Sequence, residues 1–176
     1  MHAQAREWIA RQVQSLAAPP SSVLEVGSLD INGSVRPLFG EAGHYHGIDL
    51  VAGPGVDEVA DAACWKPPRL FDVVVSAEVL EHAPLWDQIL QTMWGALAGG
   101  GVLLMTCASH GRAPHSAVDG LDVRDGEHYA NVGSEAVLAW VMRWGARQWS
   151  IEHACGRGDL YLRVTRPSAG PASATT

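Results

Sequence analysis

Two short segments of this chain end in the residues that are best suited to bind a ligand. The first segment ends with Glu25 and Gly27 and leads into a polar loop that closes at Gly33. Glycines let a backbone approach a ligand closely, and a helix that follows such a loop offers unpaired N–H groups. The second segment ends with Asp49, whose carboxylate can accept hydrogen bonds from a ribose diol. The pattern predicts that both segments contact one ligand.

Two later segments add candidates for binding and for catalysis. Asp61-Ala62 follows a third short segment, and 76–82, with the sequence Ser-Ala-Glu-Val-Leu-Glu-His, follows the β-branched run 71–75. Histidine is the side chain suited to accept a proton near neutral pH, so a histidine beside the ligand is a candidate general base. The candidates are His82, after the fourth apolar segment, and His110, His115 and His128 in the long loop 108–131.

Strands and helices must alternate to bring these residues together. The run 71–75 is typical of a strand that is buried on both faces of a parallel sheet. Ser134 is placed to cap a helix that follows it. Helices are predicted over 3–17, 85–98 and 134–144, and a further helix is predicted to begin within 34–39. The glycine run 99–101 is predicted to end the helix 85–98. Further strands are predicted at 22–26, 44–49, 56–60, 102–107, 149–154 and 160–165.

This alternation predicts an α/β fold with a doubly wound, mostly parallel seven-stranded sheet, because parallel neighbours require crossover connections. Helices cover both faces, and the two C-terminal strands form an antiparallel hairpin. The 176 residues suffice for one domain, which we assign to 1–166. The tail 167–176, rich in Pro, Ala, Ser, Gly and Thr, is predicted to be disordered. Ligands bind such sheets at the carboxyl ends of the strands, where the candidate residues fall.

Composition argues against several classes of protein and site. The net charge is −7 without a Lys/Arg cluster, which disfavours nucleic-acid binding. No apolar run is long enough to span a membrane, and the N-terminus has no signal-peptide pattern, so we expect a cytoplasmic protein. Cys64, Cys107 and Cys155 are expected to be buried free thiols. Cys107, His110 and His115 match no common ligand spacing, so no metal is expected.

Over residues 21–107 the sequence resembles the class I, Rossmann-like S-adenosylmethionine-dependent methyltransferases, most closely their small type 11-like subgroup. The resemblance rests on Glu25-Val26-Gly27 after the first strand, on Asp49 at the end of the second, and on Leu80-Glu81-His82 after the fourth. It implies S-adenosylmethionine as the cofactor and methyl transfer as the reaction.

The resemblance also implies how the cofactor is held. Glu25 and Gly27 would shape the pocket for the methionine part, Asp49 would hold the ribose hydroxyls, and Asp61 would reach the adenine amino group. The full implied set is Glu25, Gly27, Ser28, Asn32, Gly33, Asp49, Leu50, Asp61, Ala62, Ser76 and Glu78, with Cys64 or Trp65 as a further wall of the adenine site.

The first loop departs from the family's usual Asp/Glu-x-Gly-x-Gly-x-Gly. Leu29 and Ile31 stand where glycines are expected, and Gly33 comes two residues late. We therefore predict a longer loop in which Asn32 or Asp30 contacts the cofactor.

We expect the acceptor to be a hydroxyl group of a small molecule, because the loop 109–131 can form a polar lid with histidines. The candidate catalytic residues are His82, His115 and His128. The fourth strand is followed by neither Asn/Asp-Pro-Pro-Tyr nor Pro-Cys, which disfavours nucleic-acid methylation. The oligomeric state is not predicted.

Two alternatives stay open. A non-catalytic scaffold with the same fold is compatible with the short chain, which has no separate substrate-recognition domain. An NAD-dependent oxidoreductase would share the acidic residue about 20 positions after a glycine loop, but the G-x-G-x-x-G of that family is absent.

Overall fold

The computed structural model describes residues 1–40 and 42–168, which form a seven-stranded sheet with helices on both faces. The helices are α1 (Ala3–Gln14), α2 (Trp86–Ala96) and α3 (Ser134–Arg143). The strands are β1 (Ser22–Val26), β2 (His44–Asp49), β3 (Glu58–Val59), β4 (Phe71–Ala77), β5 (Leu97–Ala108), β6 (Gln148–Ala154) and β7 (Asp159–Thr165). The last eight residues of the predicted tail, 169–176, lie outside the described residues.

The sheet has the order β3-β2-β1-β4-β5-β7-β6. Strands β1 to β5 pair in parallel, and β7 runs antiparallel between β5 and β6. The predicted α/β fold and antiparallel hairpin are thus confirmed. The strand order switches direction between β1 and β4, so the loops after these two strands diverge and leave a crevice at their carboxyl ends.

The three valines of β4 show why this strand lies at the centre. Successive side chains of a strand point to opposite faces, so Val73 and Val75 pack on one face and Val74 on the other. All three are almost fully buried, because α1 covers the first face while α2 and α3 cover the second. This two-sided burial holds β4, and the loop that follows it, in a defined position.

The prediction of a helix that begins within 34–39 is wrong. The structure has only the 3₁₀ turn Arg36–Phe39 there, with Pro37 in its first turn and Gly40 at its end. Few residues separate Gly33 from β2, and Gly40, which has a low helix propensity, ends the helical geometry after one turn. The first loop therefore leads into no α-helix, and the helical N–H donors expected there are missing.

Other predicted boundaries are corrected as well. Helix α2 ends at Ala96, and the glycine run 99–101 belongs to β5, where a register shift against β4 accommodates it. Gly133, rather than Ser134, is the N-cap of α3, and Ser134 is its first residue. The third strand is limited to Glu58–Val59.

Of the three free cysteines, Cys107 is buried in β5, as predicted. Cys64 and Cys155 are exposed, because they lie in a loop and in the turn of the hairpin. None of the described helices has both the length and the apolar character needed to span a membrane.

Candidate functional site

A cavity of about 430 Å³ opens at the carboxyl ends of β1, β2 and β4. It lies at the switch in strand order, where ligands bind in doubly wound sheets. The predicted cofactor residues that line it are Glu25, Gly27, Ser28, Asn32, Gly33, Asp49, Leu50, Asp61, Ala62 and Glu78. Segments that are far apart in sequence are thus brought to one site by the parallel sheet.

Ser76 is the predicted cofactor residue that does not line the cavity. It is fully buried within β4, and Ala77 borders the cavity in its place. The carboxyl end of β4 thus meets the cavity at Ala77, one residue beyond Ser76. Cys64 and Trp65 also lie away from the cavity; the Trp65 indole donates a hydrogen bond of 2.9 Å to Glu58.

Gly27 allows the loop after β1 to pass against the loop after β4. Its φ is +78°, and a Cβ added to it would lie 2.2 Å from Cγ2 of Val79. Its N–H donates a 2.9 Å hydrogen bond to the carbonyl of Ile48 in β2. Gly27 therefore allows these two loops of the cavity wall to contact each other.

Gly27→Ala is expected to destabilise the fold by about 2–5 kcal/mol, since left-handed backbone strain adds to overpacking against Val79. The matched control is Gly33→Ala, because Gly33 has φ +97° with no atom within 4 Å of the added Cβ. Gly33→Ala should destabilise the fold only by the backbone strain, about 1–2 kcal/mol. Urea denaturation measures both, and equal losses would contradict the proposed contact.

The first loop is held from two sides. Asp49 Oδ2 accepts a 3.0 Å hydrogen bond from the N–H of Leu29, and the N–H of Asp30 donates to the carbonyl of Pro54 at 2.8 Å. Asp30 Oδ1 accepts from the N–H of Gly33 at 2.9 Å, which closes a turn inside the loop. Asp30 therefore stabilises the loop, and it does not line the cavity.

Asn32 lines the cavity and joins the first loop to the long loop after β5. Its Nδ2 donates a 3.3 Å hydrogen bond to the carbonyl of Val118. Asp61, on the other side, accepts a 2.9 Å bond from the N–H of Ala63, which shapes the loop that carries Ala62. Both polar residues therefore border the cavity on stabilised loops.

Glu25 is buried beside the cavity, and Tyr45 donates a 2.7 Å hydrogen bond to its Oε2. Burial raises the pKa of Glu25 to about 7, although the bond from Tyr45 and the charge of Arg36 oppose the shift. The sequence did not indicate Tyr45, whose contact arises from the parallel pairing of β1 with β2.

Glu25→Gln should make the protein more stable than the wild type above neutral pH. The folded pKa of Glu25 lies above its ordinary value of 4.5, so the contribution of Glu25 to stability is fully present below that value and is lost as pH rises through about 7. A shift of this size corresponds to at most about 3 kcal/mol. Urea denaturation at about pH 5 and pH 8 measures the difference. A pH-independent effect of Glu25→Gln would contradict the prediction.

Glu78 has φ +59°, a left-handed conformation that no other non-glycine residue in the described part of the chain adopts. Its side chain is 7% exposed; Thr106 donates to Oε1 at 2.8 Å, and Nε2 of His2 lies 3.1 Å from Oε2. Burial opposes ionisation, but the hydrogen bond and charge of His2 outweigh it and lower the pKa of Glu78. Backbone strain of this kind is maintained where surrounding contacts over-determine it, often at functional sites.

The predicted catalytic histidines are placed unequally. His82 lines the cavity, and the ring of His115 contacts the ring of His82 edge-on at a centroid distance of 5.1 Å. Tyr129 packs against both rings, at 5.5 Å from His82 and 4.9 Å from His115. Burial, together with the neighbouring His115, lowers the pKa of His82. Neither His115 nor His128 lines the cavity, and His128 is exposed.

Tyr129 was missed by the sequence analysis. It lies in the long loop after β5, where no periodicity marks one residue above another. Its contact with His82 depends on the way this loop folds back over the turn Leu80–His82, fixed in part by a 2.8 Å bond from the N–H of Ala130 to the carbonyl of Glu81.

Comparison with known proteins agrees with this architecture. A family model described as a methyltransferase domain matches residues 1–149. The N-methyltransferase NodS from Bradyrhizobium japonicum WM9, solved with S-adenosyl-l-homocysteine, is 17% identical with a TM-score of 0.64; the alignment covers 94% of this chain and 87% of that chain. CalS10, an amino pentose methyltransferase from Micromonospora echinaspora, is 16% identical with a TM-score of 0.69, covering 93% and 90%.

The DhpI-SAM-HEP complex is 22% identical with a TM-score of 0.66, covering 93% of this chain and 86% of that chain. At these identities the solved structures share the fold with this protein. The comparison with curated proteins found no significant match. Because the family model matches most of its length, the chain belongs to the methyltransferase domain family and is a class I S-adenosylmethionine-dependent methyltransferase.

Proposed function

We propose that this methyltransferase acts on a small molecule and transfers the methyl group to a hydroxyl oxygen of it. The observation that carries the proposal is the position of His82, which borders the cavity and contacts His115 and Tyr129. A hydroxyl group is a weak nucleophile until it loses its proton, so it needs an activating group beside it. A cavity of about 430 Å³ also suits a ligand of small-molecule size.

The residues around the cavity fit S-adenosylmethionine. The buried carboxyl of Glu25 has few partners in the protein and suits the cationic amino group of the methionine part. Asp49 has a carboxylate at the cavity wall for the ribose hydroxyls, and Leu50 and Ala62 offer apolar surface for the adenine. Gly27, Ser28, Asn32, Gly33, Asp61 and Glu78 complete the proposed set. When bound, the cofactor supplies an electrophilic methyl group on its sulfonium.

The residues of this chain then contribute positioning and activation. Methyl transfer requires the acceptor oxygen to lie in line with the donor at near-attack distance, which a rigid cavity wall provides. We assign activation of the acceptor to His82, either as the base that takes the hydroxyl proton or as a ligand of a cation that makes this proton more acidic. His115 supports His82 by direct contact, whereas the exposed ring of His128 has no such role.

An amino group is the second candidate acceptor. NodS is named an N-methyltransferase, and so is a 1,6-didemethyltoxoflavin enzyme from Burkholderia thailandensis of the same fold. These names favour nitrogen, whereas the polar edge at His82 favours oxygen. A neutral amine needs less activation than a hydroxyl, so the two acceptors differ in their dependence on His82.

Two measurements test the proposal. Thermal denaturation with S-adenosylmethionine or NAD should show stabilisation by the former only; a concentration 100-fold above Kd contributes about 2.7 kcal/mol. No response to either would favour a non-catalytic scaffold. Release of S-adenosylhomocysteine is then followed with simple phenols, hexoses and amino hexoses. Turnover of amino compounds alone would overturn the hydroxyl assignment.

A further inference from the structure

Glu81 is a buried carboxyl group that the proposed methyl transfer does not use. It lies in the turn Leu80–His82 after β4, is 0% exposed, and neither Oε1 nor Oε2 has a hydrogen-bond partner among the described residues. An unpaired carboxylate in such a place is unfavourable by several kcal/mol, so it requires either a proton or a cation.

Two imidazoles lie next to this carboxyl group. One ligand atom from each of Glu81, His82 and His115 can be chosen so that all three lie within 4.8 Å of one another. Nδ1 of His82 is buried and, like the Glu81 oxygens, has no hydrogen-bond partner among the described residues. Two neighbouring side chains thus carry ligand atoms that the described residues leave without a hydrogen-bond partner.

A separation of no more than 4.8 Å is compatible with a metal centre once the side chains adjust. Ligand atoms about 2.1 Å from a tetrahedral metal ion lie roughly 3.4 Å from one another. His115 is carried by a half-exposed loop position, so a small shift of this side chain can bring the three atoms to that separation. Tyr129, which packs against both histidine rings, limits their orientations.

We propose that Glu81, His82 and His115 bind one divalent first-row transition-metal ion. One carboxylate and two imidazoles suit Zn²⁺, Mn²⁺ or Fe²⁺, whereas Mg²⁺ and Ca²⁺ prefer ligand sets made of oxygen alone. Three protein ligands leave at least one coordination position open, as is usual for catalytic rather than structural metal ions. This proposal replaces the expectation that the protein holds no metal, which rested on the spacing of Cys107, His110 and His115.

Another cluster of possible ligands, His2, Glu78 and Asp159, carries no such proposal. Thr106 already donates to Glu78, and Arg112 forms a 2.7 Å ion pair with Asp159. The carboxylates of that cluster therefore have partners within the protein, unlike Glu81.

The position of His82 gives the metal site a use. Because His82 borders the cavity, an ion held by its imidazole would lie beside the cavity wall, where an open coordination position would suit a hydroxyl or carbonyl oxygen. Such an ion would make a bound hydroxyl group more acidic, and the proton would then pass to solvent water. This consequence rests on the proposed function, but the metal site itself does not.

Metal binding is tested without an activity assay. The full chain is dialysed against a chelator and then titrated with Co²⁺, followed by its visible absorption, and with Zn²⁺, followed by calorimetry. We expect one ion per chain for each metal. Substitution of groups that only orient metal ligands weakens binding by about 10–100-fold, so loss of the ligand itself in His115→Ala should weaken it by more than about 100-fold.

The matched control is His110→Ala, which removes a histidine of the same loop whose ring contacts His153 instead. It should bind both ions like the wild type. Glu81→Gln, which keeps the shape of the side chain, should lose the site as His115→Ala does. Absence of a one-to-one site in the wild type, or unchanged affinity in His115→Ala, would overturn the proposal.

Thermal stabilisation by S-adenosylmethionine is measured on the same variants. We expect His115→Ala to keep this stabilisation while losing the metal ion, which also shows that the variant is folded. If the wild type transferred a methyl group to none of the hydroxyl compounds but still bound the metal ion, the proposed acceptor would be refuted and the metal site would stand. The two proposals therefore fail separately.

Discussion

Asp49→Ala is expected to weaken S-adenosylmethionine binding by about 100-fold or more. Hydrogen bonds to a charged group contribute about 1.5–3 kcal/mol each, and the carboxylate of Asp49 is placed to accept two from a ribose diol. The substitution also removes the acceptor for the N–H of Leu29, which loosens the first loop. Calorimetric titration with S-adenosylmethionine measures the change in Kd.

Two further variants separate the contributions of Asp49. Asp49→Asn retains an oxygen for the N–H of Leu29 but replaces one acceptor by a donor, so it should keep the loop and still bind the cofactor weakly. Asp122→Ala removes an exposed carboxylate that does not line the cavity and should leave Kd unchanged. Wild-type affinity in Asp49→Ala would exclude the ribose role that we propose for this residue.

His82→Ala should lower kcat for a hydroxyl acceptor by about 10²–10⁴-fold, the usual contribution of a group that assists removal of a proton. His82 is the histidine that borders the cavity, so its loss removes activation of the acceptor by either route described above. The Kd for S-adenosylmethionine should change little, because the proposed cofactor contacts lie elsewhere. Single-turnover kinetics with saturating cofactor measure the effect.

The matched control for His82 is His128→Ala in the same region. Its ring is exposed and outside the cavity, so kcat should stay within about twofold of the wild type. Full kcat in His82→Ala with a hydroxyl acceptor would exclude activation by this residue. A large loss with hydroxyl acceptors and a small one with amines would match the difference in their need for activation.

The position of the site could be predicted from the sequence because of a general property of parallel sheets. Glu25, Asp49 and Glu78 each lie at or just after the end of an apolar strand, and the strands run in the same direction. Their carboxyl ends must then lie at one edge of the sheet, whatever the details of the loops. Ser76 shows the limit of this inference, because the sequence does not determine which of the last residues of a strand borders the cavity.

The shape of the first loop could not be predicted in the same way. The replacement of glycines by Leu29 and Ile31 indicated an irregular loop, but its stability depends on Asp49 and Pro54, which lie beyond the next turn. Its missing helix follows from the short distance to β2 and from Gly40 at the end of the turn, which periodicity alone did not reveal.

The sequence by itself determined the fold class, the family and the edge of the sheet at which the cofactor residues gather. These properties follow from local signals, the β-branched run of β4 and the acidic residues at strand ends, which act in the same way in many chains. Only the tertiary structure decided that Tyr45 contacts Glu25, and that His115 and Tyr129 lie beside His82. The physical reason is that these contacts join segments distant in sequence, whose approach depends on strand register and on the path of a loop without periodicity. Burial of Glu81 without a partner arises from the same packing, since it depends on every element around the turn at once.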